Sequence, residues 1–296
     1  MKKILFRIEH KDNHYIRFGE IFDIMRICYF RGRELGYSDI TFEWPYNVIM
    51  YKKIKYECPT SISLPIKCIE YGTSNKEDYD KVLDLTDDNV FYDGCKSIYK
   101  NGLRDHIDMF NYSNKYYIEH NEKPVFDITT PKIKELEGID KYILMHYRNL
   151  FDSMWRNMSV RIFYRIYRML KNVYKDYKIV ICGEIEYINR DVGIHIPYLN
   201  DINDFIKLMN NASLYVGSAT GPNTFAIGLG IPFLQIESPI YPPGNSYQYS
   251  EENWKSWGGS YGNTMIDWAH NNRVKVIMKN ERFTKKDVIK FADEWL

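Results

Sequence analysis

The stretch from Asn210 to Pro239, NNASLYVGSATGPNTFAIGLGIPFLQIESP, concentrates residue types that can hold an anion. An apolar run, Leu214-Tyr215-Val216, leads into Gly217-Ser218-Ala219-Thr220-Gly221-Pro222 and then into a small-residue segment containing Ala226 and Gly228. Glycines let a backbone turn tightly and approach a ligand, and Pro222 is tolerated in the first turn of a helix. A helix start presents unpaired N–H groups and a positive dipole end, which suits a diphosphate. Ser218, Thr220 and Thr224 can add hydroxyl donors. Spacing alone leaves a second reading equally open: a strand–turn–helix in which Gly and Pro are punctuation. The stretch is not a P-loop, lacking Gly-Lys-Ser/Thr, and it is not G-x-G-x-x-G.

Near the beginning of the chain, Phe18-Gly19-Glu20-Ile21 sets a carboxylate where a strand gives way to a helix. In an open parallel sheet that position borders the crevice beyond the strand ends. A glutamate there, within hydrogen-bond reach, can take a proton from a sugar hydroxyl. On position alone the plainer role prevails, an acid in the first turn stabilised by the dipole. Asp23 stands one turn further on, and His14 lies in the same loop as a candidate contact to acceptor or phosphate. Glu237, past the last strand of the Asn210–Pro239 stretch, is placed to meet a ribose. Tyr241–His270 interleaves glycines with Trp254, Trp257 and Trp268; it reads equally as a sugar-stacking loop or as a connection pinned by its own aromatics.

Other constellations fail. Asp78-Tyr79-Asp80 precedes the apolar run Val82–Leu85 instead of following a buried strand, so it reads as a solvated loop and not a metal site. His10 and His14 lack an H-E-x-x-H pattern, and His146 and His195 near strand ends read as packed residues. No G-x-S-x-G elbow or Cys/His signature appears. No metal is expected.

Elements must position these groups. Lys3–Ile8 reads as a buried strand, His10–Arg17 as a loop, and Ile21, Ile24, Met25, Cys28 and Leu35 recur at helical spacing until Gly36. Asp39–Trp44 is a second strand, and this order opens a parallel sheet. Lys67–Tyr71 and Lys81–Leu85 are further short runs, and Asn101–Tyr117 reads as helix. Pro124–Pro131 reads as a joint, giving domains 1–130 and 131–296. The alternation then restarts with strands at Tyr142–Tyr147, Lys178–Cys182, His195–Pro197, Leu214–Val216 and Pro232–Ile236. Helices fall at Val160–Tyr174, Asp201–Asn210 (capped by Asp201) and Pro222–Leu229. A last helix, Thr284–Leu296, starts on Thr284 and is free to pack back on the first domain.

Composition bounds the rest. The 296 residues, 45% hydrophobic and 27% charged, describe a packed globular chain rather than a disordered one. A formal net charge of +1 removes the electrostatic case for a general nucleic-acid binder or a polybasic membrane clamp. Cys28, Cys58, Cys68, Cys95 and Cys182 form no C-x-x-C pair, against a disulfide framework and for a reducing compartment. Arg7 and Glu9 interrupt the first apolar run, and no stretch approaches a membrane span, so the chain reads as cytoplasmic.

The Asn210–Pro239 segment resembles the donor-binding motif of GT-B glycosyltransferases, in particular glycosyltransferase family 9, the lipopolysaccharide heptosyltransferases. Asn211-Ala212-Ser213, Thr220-Gly221-Pro222 and Leu229-Gly230-Ile231-Pro232 match the family's pattern, while its Asp is Ala219 here and its His falls on Thr224. Phe18-Gly19-Glu20-Ile21 resembles the family's Gly-Asp-[Val/Ile] signature, whose acid is a candidate catalytic base. Ile143–Arg148 followed by Trp155-Arg156 is similar to the start of the family's second domain.

The resemblance implies an α/β, GT-B fold of two Rossmann-like domains facing a cleft. The implied activity is metal-independent, inverting transfer from a nucleotide sugar to a glycan, lipid-linked sugar or other hydroxyl acceptor. Glu20, backed by Asp23, would be the base. Arg148 and Arg156, suited to phosphate by their paired donors, would meet the diphosphate with Ser218, Thr220, Gly221, Asn223 and Thr224. No cofactor and no nucleic acid are implied. Two alternatives stand beside this: a non-catalytic nucleotide- or sugar-binding module that kept the scaffold, to which Ala219 and Thr224 point, and another GT-B-shaped enzyme such as a nucleotide-sugar epimerase or pyruvyl transferase.

Overall fold

The computed structural model describes residues 1–8, 16–45, 48–49, 57–60, 62–85, 125–149, 157–196, 201–218, 220–238, 273–278 and 282–296. The chain divides into two compact units, Met1–Ile128 with Asn200–Asn203, and Thr129–Leu199 with Asp204–Leu296.

The first unit is built on β1 (Lys3–Arg7), β3 (Asp39–Glu43), β5 (Lys67–Ile69) and β6 (Lys81–Asp84), in the order β5-β3-β1-β6 with every pairing parallel. Helix α1 (Phe18–Glu34) buries Ile21, Phe22, Ile24, Met25 and Cys28, the stripe expected from its spacing. It ends in a Schellman arrangement: Tyr37 N–H donates to the Gly32 carbonyl at 3.0 Å and Gly36 N–H to Arg33 at 2.9 Å. The residue at the reversal is Gly36, whose φ of 79° is the left-handed region glycine adopts at no steric cost. Phe126 closes this core edge-on to Phe22 (5.5 Å) and Tyr29 (5.7 Å). One expectation is corrected within His10–Arg17, read as loop: its last residues form β2 (Ile16–Arg17), paired in parallel with β4 (Val48–Ile49). A two-residue pairing leaves no periodicity to read. The expected helix at Asn101–Tyr117 lies outside the described residues.

The second unit carries β7 (Tyr142–Tyr147), β8 (Lys178–Gly183), β9 (Ile194–His195), β10 (Leu214–Gly217), β11 (Phe233–Ser238) and β12 (Val274–Met278). Their order is β12-β11-β10-β7-β8-β9, all parallel. Counting β7 as the first strand, this is the doubly wound Rossmann order, and the winding reverses between β7 and β10. Helix α2 (Val160–Val173) buries Phe163, Ile166, Tyr167 and Leu170, and α5 (Lys285–Asp293) adds Val288, Phe291 and Ala292 to the same core. Each fully buried large side chain contributes about 1.5–3 kcal/mol. The C-terminal helix, for which the sequence left a return to the first domain open, packs on α2. Tyr174 donates to Asp293 at 2.7 Å, and the Arg165 guanidinium lies 4.7 Å from the Phe283 ring centre. Helix α3 (Ile202–Asn210) is capped by Asp201, which accepts from Asn203 N–H at 2.8 Å. The short α4 (Pro222–Gly228) follows β10 and is buried throughout.

Candidate functional site

Ligands of open α/β sheets bind beyond the carboxyl ends of the strands where the winding reverses. In the second unit those ends belong to β7 and β10, which pair with Met145 opposite Val216. The chain continues past β7 into Arg148 and past β10 into Ser218, so two residues far apart in sequence meet on one sheet edge. Arg148 is 6% exposed and Ser218 fully buried. The Ser218 hydroxyl has no hydrogen-bond partner among the described residues.

His146, the last inward residue of β7, is 2% exposed, and neither ring nitrogen has a partner among the described residues. Burial, reinforced by the Arg148 charge, pushes it down to about 3, so it is neutral at physiological pH. Arg148 therefore supplies positive charge at this edge and His146 does not. Beside them Glu184 follows β8, 6% exposed. Its carboxyl is raised above the usual range by burial, opposed by the Asn149 N–H it accepts at 3.2 Å and by the Arg148 charge. The turn into Glu184 requires glycine. Gly183 has φ 96°, and a Cβ there would stand 2.1 Å from the Tyr147 carbonyl oxygen and 3.0 Å from His146 Nε2.

The turn after β10 is held from inside by Asn223, fully buried at the first turn of α4. Its amide nitrogen donates to the Ser218 carbonyl (3.0 Å) and to Gln235 Oε1 (2.8 Å), while its Oδ1 accepts from Tyr215 (3.2 Å). Those bonds occupy Asn223, so in this structure it fixes the Ser218 backbone rather than reaching outward. The Thr224 hydroxyl donates to the Gly221 carbonyl at 2.9 Å. The Asn223 and Thr224 N–H groups donate to Thr220 and Gly221, each at 3.1 Å. The expected row of outward donors is thus reduced, because the tight start of α4 consumes two of its own amides. Thr220 is 3% exposed, and Gly221 occupies the helix-cap position with no side-chain cap.

Glu20 is the third residue of α1 and Asp23 the sixth, while Glu237 is the next-to-last residue of β11. His14, Arg156 and Ala219 lie outside the described residues, as does the aromatic stretch Tyr241–His270. Sequence reasoning passed over Glu184, Tyr215 and Gln235 and read His146 only as packed. Glu184 had a signal, since it stands just after a strand as Arg148 and Ser218 do; the Tyr215–Asn223–Gln235 network had none. Asn211, part of the matched motif, ties the end of α3 to the entry of the unit: its amide nitrogen donates to Thr130 Oγ1 (3.0 Å) and to the Lys207 carbonyl (2.9 Å).

No protein-family model and no curated protein sequence matches the chain. Solved structures do. The E. coli ADP-heptose lipopolysaccharide heptosyltransferase II is 12% identical with a TM-score of 0.52, over 100% of this chain and 98% of that one. The E. coli heptosyltransferase WaaC with ADP is 12% identical with a TM-score of 0.51, over 99% and 100%. The same enzyme with ADP-2-deoxy-2-fluoro heptose gives 11% and 0.50, over 99% of each chain.

The chain has a GT-B fold.

The GT-B likeness runs nearly end to end and extends to the heptosyltransferases that the sequence motifs resemble. It accounts for two parallel α/β units in one chain. Among the described residues, no helix is long and apolar enough to cross a membrane, and no three His, Cys, Asp or Glu are grouped to hold a metal.

Proposed function

We propose that this protein is a glycosyltransferase that moves a sugar from a nucleotide sugar to a hydroxyl acceptor without a metal. The observation that carries this reading is the pairing of buried Arg148 with the unpartnered Ser218 hydroxyl at the β7/β10 reversal. A buried guanidinium suits an oxygen-rich diphosphate, and burial strengthens its effect on charge that develops in the transition state.

In this reaction the Glu20 carboxylate, with Asp23 as its backup, accepts the acceptor proton as the acceptor oxygen bonds to the anomeric carbon. The bond from that carbon to the diphosphate breaks, and its electron pair leaves on the phosphate oxygen. Arg148, Arg156 and the Ser218–Thr224 turn stabilise that leaving charge, with inversion at the anomeric carbon. Glu237 contacts the ribose and His14 the acceptor, a glycan or lipid-linked sugar. The enzyme works in the cytoplasm. The solved relatives hold ADP and an ADP-linked heptose analogue, so ADP-linked sugars head the donor panel, followed by UDP-, GDP- and CMP-linked ones.

Incubation with that panel, reading release of the nucleotide product, tests the proposal. Glu20→Gln should abolish turnover and preserve donor binding; equal turnover removes Glu20 as base. The engaged Thr224 hydroxyl and the family Asp replaced by Ala219 favour a second reading, a binding module without turnover. That reading predicts donor-induced thermal stabilisation with no release.

A further inference from the structure

The first unit holds a cluster of thiols that the transfer reaction does not use. Cys28 on α1 is fully buried, Cys58 is 8% exposed, and Cys68 in β5 is half-buried. All three are free thiols. The Cys58 and Cys68 side chains are hydrogen-bonded to each other, and Cys28 lies close enough to act on Cys68 electrostatically. That bond and burial together hold the Cys68 thiol well above the usual thiol range, so the proton stays between the two sulfurs.

Local backbone brings the pair together. Thr60 N–H donates to the Cys58 carbonyl at 2.8 Å and Leu64 N–H to Ile62 at 3.0 Å. These tight turns, stiffened by Pro59 and Pro65, fold the segment back toward β5. β5 is the edge strand of its sheet, with Cys68 opposite Phe42. The same segment walls a cavity of about 510 Å³ lined by Pro59, Thr60, Ile62, Leu64 and Cys68. The cavity sits at the amino ends of β3 and β5, away from the carboxyl ends where substrates of such sheets bind. It gives a small oxidant a place beside Cys68.

We propose that Cys58 and Cys68 are a peroxide-oxidisable pair whose disulfide ties the cavity-lining segment to the edge strand. The chemistry balances. One sulfur, as thiolate, attacks a peroxide oxygen and becomes a sulfenic acid, releasing hydroxide that is protonated to water. The second thiol attacks that sulfur, the S–S bond forms, and a second water leaves with its proton. Two thiols are oxidised by two electrons and one hydrogen peroxide is reduced.

The test is peptide mapping of the full chain after hydrogen peroxide treatment, with digestion and mass spectrometry under non-reducing conditions. The expected product is a Cys58–Cys68 linked peptide pair, lighter by two hydrogens than the separate peptides and released by dithiothreitol. Cys28→Ala should leave it intact. Cys58→Ser should abolish it and leave Cys68 to advance to sulfinic acid, with circular dichroism confirming the fold. Unlinked sulfinic acids at both positions of the unaltered chain, a dominant link to Cys28 or Cys95, or thiols untouched by peroxide would each overturn the proposal. The readout needs no substrate, so its outcome is separate from that of the transferase reading.

Discussion

At the carboxyl edge of the first sheet charged side chains answer one another. Arg7 lies 3.6 Å from Asp84, and Glu43 accepts the Ser74 hydroxyl at 2.6 Å. Along the same edge of the second sheet, the Ser218 hydroxyl and both His146 nitrogens are buried with no partner among the described residues, beside Arg148 and a Glu184 whose proton is held more tightly than usual. Both sheets are parallel and share the same order around their first strands. The difference is therefore chemical rather than topological. Buried polar capacity left unused costs stability, and a fold keeps it where an incoming group can use it. The first edge holds itself together; the second is arranged to hold something else.

Substitutions can break that contrast. Arg148→Ala should lower turnover about 100- to 1000-fold in a nucleotide-release assay, the usual loss on removing one preorganised donor. It should shift the unfolding midpoint far less than Asp84→Asn, which interrupts the first sheet's pair and should cost about 1–3 kcal/mol in urea unfolding while leaving donor binding unchanged. Equal effects of both variants on donor binding would erase the distinction between the edges.

Gly183→Ala forces a side chain into a positive-φ turn against the Tyr147 carbonyl and should cost about 3 kcal/mol or more by the same measurement. Asn223→Ala removes three buried hydrogen bonds and should cost about 2 kcal/mol. It should also weaken donor-induced thermal stabilisation, because the Ser218 carbonyl loses its tether.

His146 gives a pH signature. Its folded value, about 3, lies below its ordinary 6.5. As pH falls below 6.5 the unfolded chain takes up the proton first. The contribution is thus fully present above that pH and is lost toward 3. Between pH 7 and 5 the loss should be about 2 kcal/mol, and His146→Phe should flatten that part of the stability profile. The smallest effect belongs to the start of α5, where Thr284 and Asp287 form a capping box. Thr284→Ala should cost about 1 kcal/mol with activity unchanged.

Much of the architecture was legible because it is written locally. The α1 stripe, Gly36 as its stop, Asp201 and Thr284 as caps, and the buried runs of β1, β7 and β8 each rest on residues within a turn or two of one another. Strand β12 was missed: VKVIM interrupts its apolar run with a lysine whose amine donates to the Asp287 carbonyl at 3.1 Å. That compensating bond comes from α5. In the candidate site the turn from Gly217 to Thr224 stood out by composition. Its inward fastening by Asn223 did not, since Gln235 and Tyr215 read as ordinary strand residues.

The amino-acid order by itself determined the alternation of strands and helices and the parallel α/β class, because periodicity, caps and breakers act between near neighbours. It also singled out Arg148 and Ser218 as separate candidates. Only the tertiary structure decided that β7 and β10 are adjacent at the reversal of the sheet, and so that these two residues share an edge with His146 and Glu184. Strand order is set by pairing between segments distant in the chain, and the neutrality of His146 by burial that no single segment creates.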